Sequence, residues 1–365
     1  MAIKEPSFRI GSGRYLQEEG IISRVGEESL ALGAGALIIG GKTALSITEG
    51  SIRESLDAVS NRYEIITHIG PCSREAAERY SKVADEKALS VIIGVGGGVI
   101  MDLSKLVASI GGRRIMTVPT SSATCAAVTP LSVVYTEDGR TVGTTHFLRE
   151  VDTVLVDTDI LRRQPKRLLV SGVLDALAKL PEIEKRYKKG TPPGKAPLGL
   201  SYARTLAEDT EALLSGYTET ALSDMSADRV TPILDEIIFA AISVTGVISG
   251  IARGSNQCAI AHKFYEMTRL MYPKESKAYL HGEIVGVGLL LQNHFSGREE
   301  LNPALIALME RNCIPTSPKA LGIPDREGVM EEYFEKIKNS SAIEKASVSE
   351  TDKLKAALEY LWRRN

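Results

Sequence analysis

The sequence predicts two domains of different class, an α/β domain over residues 1–160 followed by an all-α domain over residues 161–365. Three observations lead there. The chain has 365 residues, which at roughly 150 residues per domain gives about two. Short β-branched runs alternate with helical periodicity up to about residue 160. Beyond that point the strand-like runs stop and helical periodicity alone continues.

Taken in order, Ala36-Leu-Ile-Ile-Gly40 and Tyr63-Glu-Ile-Ile-Thr67 are short apolar runs that read as strands. Arg74–Asp85 carries apolar residues at helical spacing. Ser90-Val-Ile-Ile-Gly-Val95 is nearly continuous in β-branched residues, the mark of a strand buried on both faces. It meets Gly96-Gly97-Gly98, and a helical stretch follows over Ile100–Ile110. Arg114-Ile-Met-Thr-Val118 ends at Pro119, and Thr153-Val-Leu-Val-Asp157 is the last buried strand. Strands alternating with helices predict a parallel sheet covered by helices. In the second half, periodicity predicts helices over Leu168–Tyr187, Tyr202–Gly216, Arg229–Arg253, Gln257–Met271, Gly282–Phe295, Pro303–Asn312 and Glu350–Arg364. Gly and Pro make residues 188–195 a loop. The cleft between two such domains is the default place for a ligand.

Composition narrows the function classes. Hydrophobic residues at 43% and charged residues at 25% are those of a globular chain, which excludes collagen-like, coiled-coil and largely disordered readings. Forty-four Lys+Arg against forty-six Asp+Glu leave a net charge of −2, with no basic excess for a nucleic-acid backbone. The longest charge-free apolar stretch, Ile237–Ala252, is shorter than the ~20 residues of a membrane span and carries Ser243, Thr245 and Ser249. It reads as a buried core helix, so no membrane partner is expected. The start, Met1-Ala-Ile-Lys-Glu-Pro, lacks the apolar core of a secretory signal. Cys72, Cys125, Cys258 and Cys313 are scattered, with no C-x-x-C pair. That pattern fits reduced thiols in a cytoplasm and excludes a thiolate zinc cluster.

Three places carry chemistry. Gly94-Val-Gly-Gly-Gly98 follows a strand and opens a helix, where glycine lets a ligand approach the backbone and free N–H groups attract a phosphate. Asp102 lies in the first turn of that helix and Lys105 one turn on. A tight turn with no ligand is the alternative. The run Pro119–Tyr135 holds Thr120, Ser121, Ser122, Thr124 and Thr129, whose hydroxyls and amides suit phosphates or a nicotinamide amide. A plain Ser/Thr-rich connector is the alternative there. Histidine is rare: of five, His262 in Ala259-Ile-Ala-His-Lys263 and His281 in Tyr279-Leu-His-Gly-Glu283 lie in helical patterns. Asp175 falls among apolar residues, where an unpaired charge is costly. Two imidazoles, one carboxylate and an open position make a catalytic zinc-type site. A lone histidine on an apolar face is more often a hydrogen-bonded core residue, and Asp175 alone reads also as a helix cap or a buried ion-pair partner.

Together the motifs resemble the metal-dependent polyol dehydrogenases, the glycerol dehydrogenase group of the iron-containing alcohol dehydrogenase superfamily. The resemblance runs through Gly96-Gly-Gly-Val-Ile-Met-Asp102-Leu-Ser-Lys105, Val118-Pro-Thr120, Leu131-Ser-Val-Val-Tyr135, Gly172-Val-Leu-Asp175-Ala-Leu-Ala178, Ala261-His262 and His281-Gly-Glu283. It implies a Rossmann-like N-terminal domain and a helical C-terminal domain, the dehydroquinate synthase-like fold. It also implies an NAD- or NADP-linked oxidoreductase of the cytoplasm that acts on a small-molecule alcohol and forms homo-oligomers, dimers or higher. By carry-over, Asp175, His262 and His281 bind zinc, or iron in some relatives. Gly96, Gly97, Gly98 and Asp102 hold the cofactor diphosphate, and Thr120, Thr129, Leu131 and Tyr135 line the nicotinamide side.

Departures from the family pattern bear on the substrate. Cys125 stands where glycerol dehydrogenases carry an aspartate for the substrate hydroxyls, and a thiol is a weak hydrogen-bond partner. The surrounding Thr-Cys-Ala-Ala-Val-Thr-Pro-Leu-Ser-Val run is similar to a hydroxycarboxylate dehydrogenase branch that reduces small 2-oxo acids. A carboxylate substrate calls for a cation, for which Lys263 and Arg253 are candidates. Gly41 and Lys42 stand where NAD-dependent members place an acid for the ribose hydroxyls, so NADP is expected to be tolerated or preferred. Tyr265 and Glu266 replace a histidine–asparagine pair, and Leu180-Pro181-Glu182 replaces an aromatic pair. The expected reaction interconverts a polyol or 2-hydroxy acid and its ketone or 2-oxo acid. Glycerol dehydrogenase proper is one alternative. A lyase of the dehydroquinate-synthase kind, using a cluster such as Lys179, Lys263 and Arg269, is another.

Overall fold

Six strands pair in parallel to organise the first half of the chain. The computed structural model describes residues 10–192, 194–253, 257–343 and 347–364. The strands are β1 (Arg14–Glu18), β2 (Ala36–Gly41), β3 (Tyr63–His68), β4 (Val91–Gly96), β5 (Arg114–Pro119), β6 (Leu131–Tyr135), β7 (Thr141–His146) and β8 (Thr153–Asp157). The main sheet has the order β1-β8-β5-β4-β2-β3, and β6 and β7 form a separate antiparallel pair. The helices α1 (Val25–Leu32), α2 (Lys42–Ala58), α3 (Arg74–Glu86), α4 (Gly98–Ile110) and α5 (Thr158–Arg162) accompany it. The β-branched runs are central because both their faces are covered: β4 and β8 are buried along their whole length. Ile38, Ile93, Val95, Met116, Val118 and Leu155 share one core with Val25, Ile52 and Leu56.

The chain leaves β2 for β3 on one side and returns to β4 on the other. Strand order therefore reverses between β2 and β4, the place where open α/β sheets bind ligands at the carboxyl ends of their strands. Gly41 ends β2 and Gly96 ends β4, with Gly40 paired to Val95.

Two elements escaped the sequence reading. Strand β1, Arg-Tyr-Leu-Gln-Glu, is an edge strand paired only with β8 and half-buried, so it lacks a buried strand's apolar run. Strand β6 lies within the hydroxyl-rich stretch read as a loop; Ser132 and Val134 point inward, while its other residues are partly exposed.

The remaining helices are α6 (Lys166–Leu177), α7 (Lys179–Glu184), α8 (Leu200–Ser226), α9 (Pro232–Phe239), α10 (Thr245–Ala252), α11 (Ile260–Met271), α12 (Pro273–Ser276), α13 (His281–Ser296), α14 (Asn302–Arg311), α15 (Val329–Lys338) and α16 (Val348–Trp362). The single helix expected over Leu168–Tyr187 breaks at Ala178, because Pro181 has no N–H to continue the ladder. A π turn over Ala240–Val244 joins α9 to α10. The joined run, Pro232–Ala252, has 21 residues and meets the length and hydropathy of a bilayer span, yet 56% of its apolar window is buried inside the protein.

Two compact units result: Met1–Gln164 with Glu219–Val247, and Pro165–Thr218 with Ile248–Asn365. The expected division at 160/161 put the whole helical half in one domain, whereas segment 219–247 belongs with the sheet. Periodicity reports that a segment is helical, not which core receives it. Here Gln17 Nε2 donates to the Asp235 carbonyl at 2.8 Å, and Tyr15 meets Phe239 edge-on at 5.3 Å.

Candidate active site

Asp175 lies on α6, His262 in the first turn of α11, and His281 at the start of α13. Close helix packing brings them together. A Cβ at Gly282 would sit 1.8 Å from the Ser171 carbonyl oxygen, and one at Gly288 would sit 2.5 Å from that of Ala261. Only glycine lets α13 approach both α6 and α11 so closely. Gln292 on α13 caps α11: its Oε1 accepts from Ile260 N at 2.9 Å and Ala261 N at 3.3 Å. Glu283 reaches back to Leu280 N at 2.8 Å and pairs with Arg167 on α6.

One donor atom from each of Asp175, His262 and His281 lies within 4.8 Å of the others. His262 Nε2 is 3.1 Å from Asp175 Oδ1, and His281 Nε2 is 3.8 Å from it. One carboxylate and two imidazole nitrogens converging on a point form the donor set of a catalytic zinc or iron site, so these residues fit a divalent metal.

Two further residues complete the cluster. Glu182 on α7 is fully buried, and its Oε1 accepts from His262 Nδ1 at 2.6 Å. Its other oxygen has no hydrogen-bond partner among the described residues. A carboxylate on the far nitrogen orients an imidazole and leaves Nε2 free to ligate. Lys179 sends Nζ to 3.2 Å from Asp175 Oδ1 and 3.1 Å from His262 Nε2. Sequence reasoning missed the role of Glu182, although it follows Asp175 by seven residues, two helical turns. Lys179 follows by four, on the same face.

The electrostatics are those of a charged, buried cluster. Burial alone would raise the Asp175 carboxyl, but Lys179 and the two histidines hold it well below the usual range. Burial pushes the His262 imidazole down, yet Glu182 and Asp175 outweigh it and raise its value to about 9. Burial prevails at His281, whose value is lowered. At neutral pH a metal entering the cluster therefore displaces one proton, from His262. Zinc affinity is expected to rise about tenfold per pH unit between pH 7 and 9 and to level off above. Chelator-competition titrations over that range check it.

Tyr265 packs edge-on against His281, ring centroids 4.2 Å apart. Arg269 donates to the Ser276 and Tyr279 carbonyls, both at 2.6 Å, and so holds the loop before His281. Lys263 pairs with Glu266. Of Lys179, Lys263 and Arg269, only Lys179 joins the cluster.

The other site residues lie in the first unit. Gly97 caps the N-terminus of α4 with no side-chain cap. A Cβ on Gly97 would meet nothing closer than Ser121 Cβ at 3.8 Å, and one on Gly98 nothing closer than Thr124 Oγ1 at 3.4 Å. These glycines leave a helix N-terminus, at the strand-order reversal, with no side chain of its own over it, which fits a dinucleotide phosphate. Thr120 N donates to the Gly96 carbonyl at 3.0 Å, placing the hydroxyl-rich loop beside the glycine turn. Lys105 Nζ donates to the carbonyls of Ala126 at 2.7 Å and Thr129 at 2.9 Å, and to that of Leu131. Asp102 pairs with Lys105 at 3.0 Å and accepts from Val133 N at 3.0 Å. Both charges hold the loop and β6. Tyr135 ends β6, its N–H donating to the Cys72 carbonyl at 2.8 Å. Cys125 is half-buried at the head of a short turn that Thr124 caps. Gly41 is the N-cap of α2, with exposed Lys42 next to it.

Comparison with known proteins identifies the family. Residues 12–158 match the family described as iron-containing alcohol dehydrogenase. A glycerol dehydrogenase of Thermotoga maritima is 30% identical over 89% of this chain and 86% of its own length. Hydroxycarboxylate dehydrogenase A of Escherichia coli is 28% identical over 77% of this chain and 76% of its own. Among solved structures, a probable glycerol dehydrogenase from Sinorhizobium meliloti superposes with a TM-score of 0.78 at 24% identity, covering 96% of each chain. The chain belongs to the iron-containing alcohol dehydrogenase family, within its glycerol dehydrogenase-like group.

Proposed function

We propose that this enzyme is a metal-dependent, NAD(P)-linked oxidoreductase that interconverts a small alcohol and its carbonyl compound. Asp175, His262 and His281 hold the metal, zinc or iron, and the glycine turn at the head of α4 holds the cofactor diphosphate. The convergence of these three donors within 4.8 Å, with Glu182 behind His262, carries the reading. A bound divalent metal supplies Lewis acidity at the alcohol or carbonyl oxygen, and a bound nicotinamide supplies the hydride acceptor or donor.

The chain's own groups do the rest. Glu182 holds the His262 ring with Nε2 facing the site. Asp175 contributes the negative charge that favours a cation there. Tyr265 packs edge-on against the His281 ring and limits its rotation. Lys105 and Asp102 fix the 126–133 loop, so Thr129 and Leu131 stay in place on the side assigned to the nicotinamide. Cys125, on the same loop, offers a thiol where a polyol would want a carboxylate, which favours an anionic substrate over glycerol.

NADP is expected to serve at least as well as NAD. A Cβ at Gly41 would meet only Ile100 Cγ1, at 3.7 Å, so an acidic side chain fits there without strain. Gly41→Asp would bond the ribose hydroxyls of NAD and repel a 2′-phosphate. It is expected to lower the NADPH/NADH ratio of kcat/KM by on the order of a hundredfold, as a gained charged contact and a repulsion together imply. Steady-state kinetics with both cofactors check it. The function itself is tested at 340 nm on zinc-loaded protein, pairing both cofactors with diols and with 2-oxo acids. Zinc-dependent turnover of either class supports an oxidoreductase. Absence of any net NAD(P)H change, with zinc bound, would overturn it in favour of a reaction that recycles its hydride.

A further inference from the structure

We propose that Lys179 is the substrate-recognition residue of this enzyme: it holds the metal's place in the metal-free protein and, once displaced, binds a carboxylate on the carbon next to the reacting one. The inference rests on the metal-dependent reading above and names its substrate class.

The argument starts from position. Lys179 Nζ is 3.2 Å from Asp175 Oδ1 and 3.1 Å from His262 Nε2, two of the three atoms that converge as a ligand set. An ammonium beside that carboxylate and that imidazole nitrogen sits where a small cation held by the same atoms would sit. It also neutralises Asp175, which is buried and would otherwise be a costly isolated charge. Lys179 is itself buried, and its backbone opens α7 directly after the break at Ala178.

A divalent ion and an ammonium do not share such a place, because two cations a few ångström apart in a dry site repel strongly. When the ligand atoms turn to a metal, the ammonium moves off them. The four-carbon stem lets it swing while its backbone stays beside the site. It remains a buried cation close to the reacting atoms, and a buried cation requires an anion. The short reach sets the chemistry of that anion. A carbonyl oxygen at the ligand set and an anion at a lysine rooted four residues from Asp175 belong to neighbouring carbons of one molecule, as in a 2-oxo acid. A phosphate ester on a more distant carbon does not meet this requirement. Of the cations named from sequence for this role, Lys263 is less suitable, because it is paired with Glu266 on the same turn of α11.

The test compares full-length wild type with Lys179→Gln and Lys179→Arg in three measurements. The first is zinc affinity by chelator competition. The second is thermal unfolding of the metal-free protein. The third is kcat/KM for a 2-oxo acid (2-oxobutyrate) against its neutral ketone counterpart (1-hydroxybutan-2-one), with a phosphate ester (dihydroxyacetone phosphate) alongside. Lys179→Gln is expected to bind zinc at least as tightly as wild type and to melt earlier without metal. Its preference for the 2-oxo acid over the neutral ketone should fall by roughly ten- to a hundredfold, the worth of one charged hydrogen bond. Lys179→Arg should keep part of that preference. An unchanged preference, with the metal-free melting point lowered, would make Lys179 a structural neutraliser of Asp175 and overturn the proposal. A preference for the phosphate ester that Lys179→Gln abolishes would overturn the carboxylate assignment. If wild type reduces neutral ketones with zinc but no 2-oxo acid, the proposal fails and the oxidoreductase reading stands. If zinc binds nowhere and no carbonyl is reduced, both fail.

Discussion

Asp175→Asn is expected to abolish metal-dependent activity and to weaken zinc binding by more than about a hundredfold. The estimate follows from two comparisons. Structural zinc sites gain roughly 10–16 kcal/mol from about four ligands, so one ligand's share is roughly 2.5–4 kcal/mol, a factor of about a hundred to a thousand. Loss of a residue that merely orients a ligand costs about 10–100-fold, and Asp175 stands closer to the metal than that. The substitution also has a folding consequence without metal. It leaves the buried Lys179 ammonium without the carboxylate 3.2 Å away, and breaking a buried pair by removing one partner costs roughly 3 kcal/mol or more. The metal-free variant is therefore expected to melt well below wild type. The double variant Asp175→Asn with Lys179→Met should recover most of that stability and none of the zinc affinity. Zinc titration and thermal melts of the three proteins separate the two effects.

Gly282→Ala is expected to be the most damaging of the small-residue changes. Its Cβ would lie 1.8 Å from the Ser171 carbonyl oxygen and 2.6 Å from the carbonyl carbon. Both are backbone atoms of α6 and cannot rotate away, so α13 has to shift. Overpacking of this kind costs about 3 kcal/mol, which for a chain of 365 residues is a drop of about 4 °C in melting temperature. The shift also moves His281, which precedes Gly282, away from Asp175. Zinc affinity should fall with stability rather than independently of it. Gly50→Ala is the control: Gly50 is exposed on α2 with nothing within 4 Å of its Cβ. It should stabilise slightly, by about 0.5–1 kcal/mol.

Much of this site was legible in the sequence, for reasons that also explain what was not. His262 and His281 drew attention because histidine is rare in this chain, and Asp175 because it interrupts an apolar run. The glycine turn was visible because a buried strand leads into it. Glu182 passed unnoticed because Leu180-Pro181-Glu182 looked only like a departure from an aromatic pair. Its seven-residue distance from Asp175 was the available signal, and the helix break at Ala178 obscured it. Lys179 was noted without a place, since an i,i+4 pair is as common on a solvated face as in a core. Asp102 was carried over to the cofactor diphosphate; within the chain its carboxylate pairs with Lys105 and accepts from the Val133 N–H. Val133 lies in β6, about thirty residues on, which no local pattern specifies. Strand β1 and the segment 219–247 share the same difficulty: their place is set by which core receives them.

The central claim is that Asp175, His262 and His281 hold one catalytic metal. The most direct test is to strip the protein with a chelator, add zinc back in measured steps, and follow NADPH-dependent carbonyl reduction at 340 nm. Activity is expected to be absent in the stripped protein, to rise linearly with zinc, and to break at one ion per chain. Full activity in the stripped protein, with zinc content below a tenth of an ion per chain, would contradict the claim (~0.1, a level at which a metal-requiring enzyme keeps about a tenth of its activity).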